Sequence, residues 1–219
     1  MITMTPRWAV VIFDIDGTLV DTVDLIVASY QHAFRTVLGH EWDETEIRTW
    51  IGQAFEESLQ RVCPDHIDEL FRVYIEWNHA HTEEMLKEYP GIRELVTELA
   101  AAGVRLGAAT SKRHVIAQRA LDLGNLGDIV PLLASHEDSI EHKPNPAPLL
   151  VAAAKVSCPP SEAVYVGDAV VDILAATNAG MDSIAVTWGA GIRAELVDAG
   201  PTVVVDTVDE LRAVLFGAC

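Results

Sequence analysis

The chain has 219 residues, half of them hydrophobic and 22% charged, enough for one α/β domain carrying an insertion. Fifteen basic side chains stand against 33 acidic ones, a formal charge of −18. Nucleic acid and anionic membrane surfaces recruit basic patches, so neither is an expected partner. Cys63, Cys158 and Cys219 are scattered and odd in number, and neither a signal peptide nor a run of roughly 18 apolar residues is visible. A reducing, cytoplasmic setting is therefore expected.

In chain order, Ala9 to Phe13 is a continuous apolar run, the pattern of a strand buried on both faces. It feeds into Asp14-Ile15-Asp16-Gly17-Thr18, which puts two carboxylates at a strand end, where open α/β sheets place ligands. Gly17 lets the chain turn, and carboxylates held together are costly without a cation. From Asp21 to Glu88 the period becomes helical. Ile26, Tyr30, Ala33 and Val37 share one face, as do Ile67, Leu70, Phe71 and Tyr74. Gly39 reads as a helix stop, and Asp43 with Glu46 as a capping box.

Pro90-Gly91 restores alternation. Helices are expected over 92–102, 113–123, 170–179 and 208–215, with a further helix entered at Asn145-Pro146. Strands are expected over 104–109, 129–134, 163–166, 183–186 and 202–205. The fold class is α/β: a Rossmann-like doubly wound parallel sheet core (1–20 and 89–219) with an inserted all-helical cap (21–88).

Three polar clusters follow predicted strands. Thr110-Ser111-Lys112 puts a hydroxyl at a strand end before a helix, an arrangement suited to an anion, although Ser111 also fits a plain N-cap. His142-Lys143-Pro144 holds a cationic arm ahead of the next helix, or is a surface turn. Gly167-Asp168 with Asp172 one turn later suits a hard cation, or simply complements a helix dipole.

Their order, Asp-x-Asp-Gly-Thr, strand-Thr, Lys-Pro and Gly-Asp-x-x-x-Asp, resembles the four motifs of the haloacid dehalogenase-like phosphohydrolase superfamily from Phe13 to Asp172. The helical insert stands where that family's first-type cap belongs. The resemblance implies Asp14 as nucleophile forming an aspartyl-phosphate, and Asp16 as general acid and then base. It implies Mg²⁺ held by the Asp14 carboxylate, the Asp16 carbonyl and Asp168, with Asp172 behind them. Thr110 and Lys143 would hold phosphoryl oxygens. Gly17, Thr18 and Ser111, with Gly52 and Gln53 from the cap, are the expected substrate-binding positions.

Asp16 argues against the dehalogenase branch, which lacks an acid there. The phosphonatase branch needs a cap lysine, and Lys87 lies at the very end of the insert. Trp50-Ile51-Gly52-Gln53 and Tyr89-Pro90-Gly91 look like phosphoglycolate phosphatases. Ser29-Tyr30-Gln31-His32, Trp77-Asn78-His79-Ala80-His81 and Glu141-His142-Lys143-Pro144 look like their pyrophosphatase relatives. The expected reaction is hydrolysis of a small phosphate ester such as phosphoglycolate, or of pyrophosphate. The alternatives are a sugar-phosphate mutase and a non-catalytic phospho-acceptor. His79 and His81 are too close in sequence to share a helix face, and Arg48 is read as a surface residue.

Overall fold

A computed structural model describes residues 5–217, so Cys219 lies outside it. Six parallel strands form the core sheet in the order β5-β4-β1-β6-β7-β8: β1 (Val10–Phe13), β4 (Arg105–Ala109), β5 (Leu132–Ala134), β6 (Ala163–Gly167), β7 (Asp182–Val186) and β8 (Val203–Val205). β1 is central, hydrogen-bonded in register to β4 on one side and β6 on the other.

The unbroken Val10-Val11-Ile12-Phe13 run follows from that position. Val11 and Phe13 join the cluster formed by α5 (Ile92–Ala101), α6 (His114–Leu123) and α10 (Val208–Leu215). Val10 and Ile12 join the opposite cluster, under α7 (Ala147–Lys155) and α8 (Val170–Ala179). A strand with helices on both faces has no solvent face to carry polar residues, so period-2 alternation disappears. The chain builds outward from β1 through β4 to β5, then crosses over to β6. The carboxyl end of β1 is therefore the topological switch point, where such sheets leave a crevice.

Between β2 (Val20–Asp21) and β3 (Lys87–Glu88) lies the helical cap: α1 (Val23–Leu38), α2 (Glu44–Trp50), α3 (Phe55–Gln60) and α4 (Ile67–Met85). β2 and β3 pair antiparallel, so the two connections to the core run side by side. The cap has its own apolar centre, in which Tyr30 packs on Phe55, Trp50 and Tyr74 with ring centroids 5.2, 5.4 and 4.8 Å away. Gly39 ends α1 in a left-handed conformation, and Asp43 caps α2 by accepting the Glu46 amide at 3.0 Å.

Two expected elements change. The strand expected from Ile129 starts only at Leu132, because Ile129 and Val130 close a turn onto the Leu126 carbonyl and Pro131 has no N–H to give. A short helix, α9 (Arg193–Asp198), stands where none is expected. No helix among the described residues is long and apolar enough to cross a membrane.

Candidate active site

Asp14 follows β1 directly, its amide still bonded to the Val166 carbonyl at 2.8 Å, so its side chain leaves from the strand end into the switch-point crevice. Lys143 meets it there. Its Nζ is fully buried and donates to Asp14 Oδ1 (2.9 Å), Asp172 Oδ1 (2.7 Å) and the Tyr165 hydroxyl (3.0 Å). The Tyr165 hydroxyl in turn donates to the Ala109 carbonyl at 2.7 Å. All three ammonium donors are thus satisfied, which is what a buried lysine requires. Burial alone would depress the Lys143 pKa, but Asp14 and Asp172 more than offset it, so the ammonium is held well above its ordinary range.

Asp14, Asp168 and Asp172 are buried and offer carboxylate oxygens within 4.8 Å of one another. Burial, only partly offset by Lys143, pushes Asp14 up to about 7, with Asp172 and Asp16 adding to the rise. Burial and the charges of Asp172 and Asp14 push Asp168 well above the carboxylate range. The cluster has hard oxygen donors and more negative than positive charge, a donor set that fits a divalent cation such as Mg²⁺. Asp172 gives one oxygen to Lys143 and accepts the Ala169 amide on the other at 3.0 Å, and Asp168 accepts from Thr18 and from the Ala190 amide, both at 2.8 Å, so each of these two carboxylates keeps only its remaining lone pairs, while Asp14 is held by one oxygen alone.

Asp16 stands apart from that cluster. Its Oδ1 accepts from the Thr22 hydroxyl at 2.5 Å and from Lys112 Nζ, in a pair that is about nine-tenths buried. Gly17 turns the chain at φ +77°, and a Cβ there would lie 2.3 Å from Asp168 Oδ2. Gly17 therefore makes room for Asp168. The Thr18 hydroxyl, expected to face substrate, is turned instead to Asp168 Oδ1 at 2.8 Å. Its side chain positions a carboxylate.

A cavity of about 80 Å³ lies between core and cap, and Asp14, Asp16, Thr110, Ser111, Gly52 and Gln53 are all on its wall. Ser111 Oγ donates across the boundary to the Gly52 carbonyl at 2.8 Å, and Gly52 adopts φ +90°. A Cβ on Gly52 would lie 2.9 Å from Ala169 Cβ, so only glycine brings the cap loop this close to the core. The Gln53 amide is committed within the cap, to the Thr49 carbonyl at 2.7 Å and to Arg61 at 3.0 Å.

Four contributors are absent from the expected set. Lys112 holds Asp16, Thr22 shares it, Tyr165 braces Lys143, and Arg113 reaches the cap to pair with Glu56 at 2.6 Å. Only Tyr165 carries a local signal, as a hydroxyl inside an apolar strand. Arg48, His79 and His81 are not on this cavity's wall: Arg48 pairs with Glu44 at 2.9 Å, and His81 stacks on Trp77.

The sequence model described as haloacid dehalogenase-like hydrolase matches residues 11–186, most of the chain. The chain belongs to the haloacid dehalogenase-like hydrolase family. Among its relatives is the pyrophosphatase PpaX of Bacillus cereus (strain G9842), 32% identical over 206 residues, which cover 94% of this chain and 95% of that protein. A solved structure described as a predicted phosphatase from Clostridium acetobutylicum superposes with a TM-score of 0.85 at 25% identity, covering 94% and 96% of the two chains. A Bacteroides fragilis structure described as a putative haloacid dehalogenase-like hydrolase reaches a TM-score of 0.86 at 24% identity, covering 94% and 100%, and supports the fold. This haloacid dehalogenase-like hydrolase thus shares with its relatives both the core sheet and the inserted cap.

Proposed function

We propose that the enzyme is a Mg²⁺-dependent phosphatase that hydrolyses a small phosphate ester, of the size of phosphoglycolate, through an aspartyl-phosphate on Asp14. The observation that carries this reading is the buried network at the switch point. Lys143 anchors Asp14 by one oxygen, which directs the other toward the cavity shared with Asp16 and Thr110.

In the first half-reaction an Asp14 carboxylate oxygen bonds to phosphorus as the bond to the leaving oxygen breaks. Asp16 gives its proton to that oxygen. In the second, Asp16 takes a proton from water, the water oxygen bonds to phosphorus, and the Asp14–phosphate bond breaks to release inorganic phosphate. Lys143 and the Thr110 hydroxyl offset charge on the phosphoryl oxygens. Asp14, Asp168 and the Asp16 carbonyl would hold Mg²⁺, whose charge screens the phosphoryl group from the attacking carboxylate. Asp172 keeps Lys143 oriented. Residues 21–88 move as one cap on the paired strands β2 and β3, closing to exclude water.

The test is phosphate release from a panel of small phosphate esters with and without Mg²⁺, repeated with Asp14→Asn. Release that needs the metal and disappears in the variant is expected; release that survives in the variant would overturn the nucleophile assignment. A second reading, hydrolysis of pyrophosphate, is favoured by the activity named for the Bacillus relative. Including pyrophosphate in the panel separates the two.

A further inference from the structure

Arg113 stands on the cavity wall with its hydrogen bonds incomplete. Its guanidinium lies 4.4 Å over the Phe71 ring, which holds the group in one orientation. Nη2 donates to one oxygen of Glu56 at 2.6 Å, and Nε is buried without a partner among the described residues. A buried N–H left unpaired is destabilising, and native structures leave few of them. Arg193 shows the pairing that Arg113 lacks: its Nε and Nη2 meet the two oxygens of Asp206 at 3.0 and 3.4 Å. Such a fork fits an anion with two adjacent oxygens. Arg119 also has an unpaired Nε, but it is not on the cavity wall. Lys112, which is on the wall, is committed to Asp16.

We infer that Arg113 is a specificity-determining residue: it receives a second anionic group, a carboxylate or a terminal phosphate, carried by the substrate beyond the bond that is cleaved. Glu56 competes for the same donors and turns away when the substrate's two oxygens take Nε and Nη2 together. Glu56 makes only one bond to Arg113 and is more than a third exposed, so water can take over its carboxylate on release. Arg113 follows Thr110 by three residues, a span of at most about 11 Å, so one small molecule can reach both. The inference rests on the phosphatase reading above and deepens it, since phosphoglycolate and pyrophosphate both carry such a group. It also gives Glu56 a role opposite to that of a simple tie between cap and core.

The experiment measures kcat and KM with Mg²⁺ for ethyl phosphate, phosphoglycolate and pyrophosphate. Ethyl phosphate and phosphoglycolate differ by a methyl against a carboxylate, so their ratio isolates the second charge. The wild-type enzyme is expected to favour phosphoglycolate or pyrophosphate over ethyl phosphate by about tenfold or more in kcat/KM. Which of the two is better tells a carboxylate from a terminal phosphate. Arg113→Ala is expected to raise KM for that compound about tenfold and to leave ethyl phosphate within about twofold. Arg113→Lys keeps the charge but not the fork, and its KM is expected to fall between. Glu56→Gln removes the competing charge and is expected to lower the same KM about threefold.

A pair that merely ties cap to core would make Arg113→Ala and Glu56→Gln shift KM in the same direction and for all three compounds. That result would overturn the inference, as would a wild-type preference for ethyl phosphate. Calorimetry of phosphoglycolate and pyrophosphate binding to Asp14→Asn, with and without Arg113→Ala, gives a readout that does not depend on turnover. If the wild-type enzyme releases no phosphate but affinity still falls with Arg113→Ala, the phosphatase reading fails and the anion site stands. Affinity for both compounds unchanged by Arg113→Ala sinks the anion site even where phosphate is released.

Discussion

At the core end of the cavity, Asp14, Asp168 and Asp172 are stripped of water and held by Lys143, Thr18 and backbone amides. At the cap end of the same cavity, Tyr30, Phe55 and Tyr74 hold one another by ring contacts of about 5 Å, and Arg113 pairs with Glu56 beside them. The core end concentrates unbalanced charge, which suits it to a cation and a phosphoryl group. The cap end is walled mainly by aromatic rings, which suits it to selecting a leaving group by fit. Under the proposed function, the first region would set the chemistry and tolerate little change, and the second would set the choice of substrate, with graded effects of exchange.

The largest effect expected on this contrast comes from Asp14→Asn. Phosphate release should fall by about 10⁴-fold or more, while the circular dichroism spectrum stays native because an amide still accepts from Lys143. Lys143→Met should instead damage the fold. It leaves Asp14 and Asp172 buried without a counter-charge, a loss of about 3–5 kcal/mol in urea unfolding. A cap substitution of equal severity would break the distinction between the two regions.

Asp16→Ala should slow turnover by about 10²–10⁴-fold, and most for esters with basic leaving oxygens. Equal slowing across a series of leaving groups would remove Asp16 from the acid role. The core end should also give the protein a pH signature. Asp14 has its folded pKa raised to about 7 from 3.8, so between these values the folded state holds a proton that the unfolded state has lost. Its contribution to stability is therefore neutral below pH ~4 and increasingly unfavourable up to pH ~7. Thermal melts in chelator should fall over that interval. Added Mg²⁺ should restore stability more at pH 8 than at pH 5, since the cation binds the ionised carboxylates.

Arg113→Ala is expected to have the smallest effect. Its pair with Glu56 is more than a third exposed, so global stability should change by less than about 1 kcal/mol. Because the pair joins core to cap, KM should rise more than kcat falls. An equal fall in both kcat and kcat/KM would place Arg113 among the groups acting in the transition state.

The sequence of the chain by itself determined the element types, since the periods that report them are local. Val170–Ala179 and Val208–Leu215 form as their patterns imply, and the Val10–Phe13 run could only be a strand covered on both sides. It also determined which residues meet at the switch point: Asp14, Thr110 and Asp168 each directly follow a strand of one parallel sheet, and parallel strands align their carboxyl ends. The helix at Arg193–Asp198 escaped because six residues are too few to display a helical period.

Tertiary structure alone decided the partnerships. Lys112 lies 96 positions from Asp16, and Arg113 57 positions from Glu56, separations at which one sequence carries no pairing information. It also decided that Thr18 turns to Asp168 and that the aromatic face of the cap helices lines a cavity as well as filling the cap. A helical face reports that residues are buried. What they are buried against depends on where β2 and β3 set the cap over the sheet.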